Sequence, residues 1–419
     1  MGLLQCPLCC HSEDQEQQFH DHSHHLQSES SASSSLSSQP SLPSVPSLTP
    51  LSQPQQTTHQ LLATLKGHSS AISSLALHGK FLYSASSSSE IRAWKKDPFA
   101  LQASNSSNNV VAISNGAIKS LVILGDKLFN AHQDHKIRVT KIEGNYPNQR
   151  FKCIATLPTF NDRFSKLFLA KNYVEVRRHK KCTWVHHVDT VSALALSIDG
   201  SLLYSASWDR TFKIWRTSDF KCLESMRNAH DDAINALVLS DDGFVYTGSA
   251  DKKIKVWKKE TGEKSHRLFA TLEKHKSAVN ALALGRDGSV LYSGACDRSI
   301  LVWEKDSSDI NGGGNMVLVG ALRGHTKAIL CLVAAAADLV CSGSADKSVR
   351  IWRRSGVNNS YSCLAVLQGH TRPVKCLAME VDRNSDNNGG SDANTNSYMV
   401  YSGSLDCDIK VWKIEVPFF

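Results

Sequence analysis

Residues 201–215 read SLLYSASWDRTFKIW, and this stretch decides the fold. Leu203, Tyr204 and Ala206 lie in a β-prone run, Asp209 marks a tight turn, and Phe212, Ile214 and Trp215 end a second strand. The same hairpin returns as VYTGSADKKIKVW to Trp257, LYSGACDRSILVW to Trp303, VCSGSADKSVRIW to Trp352 and VYSGSLDCDIKVW to Trp412. In all five copies an Asp stands six residues before the Trp, and a Ser or Thr stands four before that Asp. A recurrence of this kind marks a repeat array, in which each unit buries its apolar face only against its neighbours.

Working outward, each unit also carries a His four residues ahead of an alternating apolar strand. The pairs are His68 and Ile72, His187 and Val191, His230 and Ile234, His275 and Val279, His325 and Ile329, and His370 and Val374. From His187 the His residues follow at spacings of 43, 45, 50 and 45, the period of a four-stranded blade in a ring. Two units depart from the pattern. The first has His68, Ser84 and Trp94 but Ser88 at the Asp position; the second keeps Asp134 but has Asn130, Thr140 and no matching His. Both still read as strands and predict looser blades, for seven in all.

With Gly67-His68, Gly324-His325 and Gly369-His370, this ladder resembles the WD-repeat β-propellers, and the likeness spans about residues 60–416. It implies an all-β, seven-bladed propeller in which a His, a Ser or Thr, an Asp and a Trp form a hydrogen-bonded tetrad in each blade. Carried onto this chain the tetrads are His187, Ser205, Asp209, Trp215; His230, Thr247, Asp251, Trp257; His275, Ser293, Asp297, Trp303; His325, Ser342, Asp346, Trp352; and His370, Ser402, Asp406, Trp412. The physics agrees independently: a buried carboxylate is costly unless bonded, and His, Trp and backbone amides can satisfy such a group. Five copies are frame, not five active sites. No nucleophile, metal or phosphate motif stands outside the repeats, so the chain reads as no enzyme, with no cofactor.

The order of strands predicts how the ring closes. Outer strands come from the start of the following repeat: 151–157 for blade two, 220–226 for blade three and 361–367 for blade six. The last unit lacks one, and residues 61–65 can supply it, covering two bare sheet edges. The polar stretches 306–315 and 384–396 read as solvated loops. The stretch 158–186 differs, mixing Phe160, Phe164, Phe168, Tyr173 and Trp184 with seven Lys and Arg residues. It is too apolar for a bare linker. It reads as cover for the side of blade two or three, as a partner-docking arm, or as a nuclear import signal through Arg177, Arg178, Lys180 and Lys181. Together with the HHVDTVSALALS run, it is similar to the plant JINGUBANG-type WD-repeat proteins. That likeness implies a cytoplasmic and nuclear regulator that binds other proteins, transcription factors among them.

Residues 1–59, rich in Ser, Gln, His and Pro, bury too little surface to offset chain entropy and read as a disordered tail before a 60–419 propeller. Gly2 with Cys6, Cys9 and Cys10 offers an acylation route to a membrane, although Cys6 stands where Ser or Thr is usual. The same cysteines with His11, His20, His22, His24 and His25 match no closed zinc site, and a solvated His-rich tail is preferred. Residues 1–60 hold five acids and no Lys or Arg, which leaves +13 on the rest of a chain of net charge +8. Such a body favours acidic partners.

The leading functional reading is a monomeric, non-enzymatic interaction scaffold or regulatory adaptor whose partners are other proteins, with modulation of transcription factors in development as its finer form. Loops on a rigid frame are where binding residues concentrate. In WD-repeat proteins the residue before the turn Asp, and those just after the His, face one end of the ring. Carried over, these are Trp208, Ala250, Cys296, Ala345 and Leu405 with Asp189, Asp232, Lys327 and Arg372; Trp208 is the strongest candidate anchor. One alternative is a substrate receptor of a cullin-type ubiquitin ligase, weakened because no Trp-Asp-x-Arg follows a blade. A nucleic-acid-binding propeller is the other, weakened because the charges alternate along strands and no recognition helix is visible.

Overall fold

The computed structural model describes residues 45–49, 57–96, 110–113, 116–144, 149–167, 173–177, 180–260, 262–306, 315–335, 338–355, 360–382 and 395–417. Seven four-stranded antiparallel sheets form the blades of a propeller. Six of them run inner, second, third and outer strand in chain order, as in blade three: Val191–Leu196, Leu202–Ser207, Phe212–Arg216 and Cys222–Met226. Alternation within the strands does the packing. In blade three Leu203, Ala206, Phe212 and Trp215 are buried between neighbouring sheets.

Blades nest because one position in the second strand stays small. A Cβ on Gly294 of blade five would lie 2.5 Å from Ile329 Cγ2, the first residue of the next inner strand. Gly403 of blade seven meets Ile72 of blade one in the same way, so the last blade nests on the first.

Closure follows the expected route. Blade seven holds Val374–Val381, Thr395–Ser404 and Ile409–Pro417, and its outer strand is Thr58–Leu65. Leu61 pairs with Trp412 and Leu65 with Ile409. The strand begins three residues earlier than the expected 61–65, and Thr58 Oγ1 donates to Glu415 Oε2 at 2.9 Å.

Blades one and two complete the seven. Blade one takes Val110–Ile113 as its outer strand, an element the sequence reading did not find. Of the two predicted loops, residues 307–314 and 383–394 lie outside the described residues, whereas Thr395 and Asn396 belong to a strand paired with Pro417 and Val416. Most of the tail, including Gly2, Cys6, Cys9 and Cys10, is likewise outside them. Of the rest, residues 45–49 pack on the ring and residues 57–59 lead into the closing strand.

The 158–186 stretch forms a helix, Phe160–Leu167, and a hairpin of Tyr173–Arg177 with Lys180–Thr183. The helix is fastened to the side of blade three, where the Cys222 amide donates to Asp162 Oδ2 at 2.7 Å. Val185, fully buried, joins the core between blades two and three. Phe160 and Phe164 stack at 5.9 Å on the exposed face of the helix. No described helix is long and apolar enough to cross a membrane.

Candidate partner-binding face

The frame of the site is a set of hydrogen-bond relays. In blade three Trp215 Nε1 donates to Ser205 Oγ at 2.9 Å, and Ser205 Oγ lies 2.8 Å from His187 Nε2. His187 Nδ1 stands 3.1 Å from Asp209 Oδ2, which also accepts the Val188 amide at 2.9 Å. A carboxylate only accepts, so Nδ1 carries the proton, Nε2 accepts, and the serine hydroxyl passes its hydrogen to the ring. Burial pushes the His187 pKa down, keeping the ring neutral at pH 7. Burial alone would raise Asp209, but the hydrogen bond from His187 Nδ1–H and the nearby Lys213 charge outweigh it, and its carboxyl falls below the usual range.

The same geometry holds at His230, Thr247, Asp251 and Trp257, with every link between 2.8 and 2.9 Å. It holds also at His275, Ser293, Asp297 and Trp303; at His325, Ser342, Asp346 and Trp352; and at His370, Ser402, Asp406 and Trp412. Blade one is a variant. Trp94 and His68 meet Ser84 Oγ at 2.8 and 2.7 Å, but the carboxylate near His68 Nδ1 is Glu90, 3.3 Å away and outside hydrogen-bond geometry. Ser88 bonds Ser86 instead. Blade two has no tetrad among the described residues: Asn130 Oδ1 is buried without a partner, Arg138 holds Asp134, and His132 Nδ1 donates to Gly116 O at 2.9 Å.

These relays fix the turns that face a partner. In every blade the residue before the turn Asp, or its counterpart, donates its amide to the carbonyl just before the inner strand, at 2.8–3.0 Å. The pairs are Ser87–Ala71, Gln133–Ala117, Trp208–Thr190, Ala250–Ala233, Cys296–Ala278, Ala345–Ala328 and Leu405–Pro373. All seven turns therefore lie at one end of the ring, beside the His loops.

Trp208 is half-buried there, with the Lys119 ammonium 5.6 Å from its ring centroid, a cation–π contact across two blades. Lys327 and Arg372 are exposed. Asp189 and Asp232 are partly committed, each capping the amide of the next residue at 2.7 Å. Arg177, Lys180 and Lys181 lie at the closed end of the insertion hairpin, where Arg177 pairs with Lys180; Arg178 is outside the described residues.

One feature escaped the sequence reading. The residue after the turn Asp adopts the left-handed backbone in every blade, with φ between 67° and 74°. In blades three to six it is Arg210, Lys252, Arg298 and Lys347, all exposed. Four cations thus stand in an arc on the turn-bearing end, and Lys327 and Arg372 extend it. Lys119 and Lys375 project from the inner strands of blades two and seven; burial, then the charge of Lys375, lowers the Lys119 pKa. The repeated position after the Asp was the available signal.

The comparisons with known proteins agree with this geometry. The model of the WD domain, G-beta repeat, matches residues 59–95, 179–216, 220–258, 266–304, 316–353 and 361–413, and the chain belongs to that family. Blade two, which lost its tetrad, falls outside the matched segments. The chain is similar to Autophagy-related protein 16 of Arabidopsis thaliana, 28% identical over 47% of this chain and 36% of that protein. An uncharacterized WD repeat-containing protein of Schizosaccharomyces pombe is 25% identical over 45% of this chain and 53% of its own length. Apoptotic protease-activating factor 1 of Danio rerio is 24% identical over 58% of this chain and 17% of that protein. The chain thus spans about half or less of these relatives. The WD40 β-propeller domain of Doa1 superimposes with a TM-score of 0.59 at 20% identity, over 85% of this chain and 97% of that one, a likeness of fold alone. WD-repeat propellers are in general non-catalytic frames that bind other proteins.

Proposed function

We infer that this chain is a non-enzymatic adaptor that captures an acidic segment of a partner protein across the turn-bearing end of its ring. One observation carries the reading: Arg210, Lys252, Arg298 and Lys347 stand exposed on four consecutive turns, with Trp208 half-exposed beside the first. Charge on a rigid frame steers association, and an indole among such charges is the type of side chain that anchors interfaces. The fixed turn geometry supports it, since little loop ordering is left to oppose binding. In the finer reading the partners are transcription regulators and the protein works in cytoplasm and nucleus as a JINGUBANG-type regulator; the aromatic and basic 158–186 stretch supports this. A cullin-type receptor role has no comparable support.

The test is affinity capture by the full chain and by an Arg298→Glu, Lys327→Glu, Lys347→Glu variant, with mass spectrometry of what is retained. Loss of the same acidic proteins from the variant is the expected result. Unchanged capture overturns the reading. Retention of DNA or RNA at low salt, lost with the same charges, would instead favour nucleic acid.

A further inference from the structure

Residues 45–49, VPSLT, lie in extended form on the outer perimeter of the ring, beside the end of the outer strand of blade five that leads into the His325 loop. They follow the outer strand of blade five, Met316–Leu322, as a short added strand with a parallel bridge between Ser47 and Ala321. Leu48 N donates to Ala321 O and Ala321 N to Pro46 O, both at 2.9 Å. From blade six, Tyr361 N donates to Leu48 O at 3.0 Å, and Arg323 donates to Val45 O at 2.7 Å. Val45 is 5% exposed and joins the core of blades four and five, while Leu48 packs on the core of blades five and six.

The groove is shaped for this occupant. A Cβ on Gly320 would lie 2.6 Å from Leu48 Cγ and 2.9 Å from Pro46 O, so glycine leaves the space that the chain fills. The sequence around the occupant is a triplet repeat, Pro40-Ser41-Leu42, Pro43-Ser44-Val45, Pro46-Ser47-Leu48. In an added strand, side chains three apart face opposite ways, so such triplets can fill the seams on both sides of one blade. Val45 and Leu48, three apart, are the two that enter, while Pro46 and Ser47 between them are exposed. The groove therefore reads a chemistry, a Pro-x-aliphatic triplet with free backbone amides and carbonyls, rather than one unique sequence.

We propose that this groove is a second binding site, that it takes an extended Pro-x-aliphatic peptide, and that residues 45–49 are its tethered resident ligand. A partner segment of the same triplet chemistry displaces them. Added-strand pairing supplies affinity and the two aliphatic pockets supply selectivity. The resident is short, and a short perimeter segment belongs to the least stable part of a fold. Its tether raises its effective concentration to the order of mM, so an outside peptide binds appreciably only when the resident is weakened or the partner is held nearby.

The experiment is fluorescence anisotropy with a labelled peptide of residues 38–52, SQPSLPSVPSLTPLS, titrated with the full chain. Val45→Asp with Leu48→Asp empties the groove without touching the ring. That variant is expected to bind the peptide at least about tenfold more tightly than the unaltered chain. Gly320→Val in the same background should abolish the gain. Arg323→Ala, which removes a donor but no packing at the glycine, should reduce the gain and guards against misfolding of the valine variant. Absence of binding to the emptied chain, or binding that neither substitution changes, overturns the proposal. So does a concentration-dependent dimer dissolved by the Asp pair, which would place a second copy's tail in the groove. The site is distinct from the basic arc, so the two proposals fail separately.

Discussion

Trp215 reaches across its hairpin to donate its indole N–H to Ser205 Oγ at 2.9 Å, and the same ten-residue span joins the equivalent pair in six of the seven blades. One hydroxyl thus accepts from a tryptophan and donates to a histidine, all three side chains being buried. Ser205→Ala leaves both ring nitrogens of that pair unmatched, at a cost of about 1–3 kcal/mol. Urea unfolding should show this loss, and partner capture below the transition should be unchanged.

Blade one offers the reverse test. Ser88 occupies the Asp position, and His68 Nδ1 faces Glu90 without a proper hydrogen bond. Ser88→Asp supplies the missing acceptor and should stabilise by about 1 kcal/mol. Amide exchange in the strand Ile72–His78 should slow correspondingly; faster exchange would show that Glu90 is already the better partner.

Acid should weaken the ring before it protonates the carboxylates. Burial lowers the pKa of His132 from 6.5 to about 4, against the partial support of Gly116 O. A group with a depressed folded pKa takes up its proton more readily in the unfolded chain, so stability is full above about pH 6.5 and falls as pH drops toward 4. Fully expressed, this single ring contributes on the order of 3 kcal/mol. His186 shifts in the same direction to about 4, burial again being the first cause. Melting temperatures taken between pH 7.5 and 4.5 should decline, and His132→Leu should flatten the slope whatever it does to absolute stability.

One carboxylate of the insertion helix fastens it to blade three. Asp162→Ala removes the acceptor of the Cys222 amide and should leave that buried N–H unpaired, at about 1–3 kcal/mol. Limited proteolysis should then cut within 160–183 well before the blades; equal resistance would show that Val185 alone holds the stretch.

Glu224 makes a similar clasp one blade further. Its two oxygens meet the His266 amide at 2.6 Å and the ring at 3.0 Å, joining blade three to the strand that completes blade four. Glu224→Ala should cost about 2 kcal/mol or more, because two buried groups lose their partner together. Denaturant unfolding of the purified variant checks it.

All seven blades were legible in the sequence, five of them down to the tetrad, because polar relays need fixed residue types at fixed spacing. Where the spacing is filled differently, reading fails. Glu90 approaches His68 from the start of the next strand, two residues past the expected place, and no pattern marks it. The outer strand Val110–Ile113 has four residues in a Ser- and Asn-rich surround, so only pairing with Glu90–Lys95 makes it a strand. Residues 45–49 sit in a Pro- and Ser-rich stretch; a groove with a glycine floor orders them. The cationic arc was present in the letters after each Asp, yet its meaning needed the shared positive φ and the common end of the ring.

The strand Thr58–Leu65 finds its partner only in Ile409–Pro417, at the other end of the array. During synthesis it must therefore wait while about 350 residues emerge, roughly 20–70 s at ~5–20 residues per second. Blades in the middle can form as they appear, but the ring is a lock that turns only with the final strand. Timing, more than any single contact, makes this waiting segment the part of the chain most exposed to chaperones and to mispairing with a neighbouring copy.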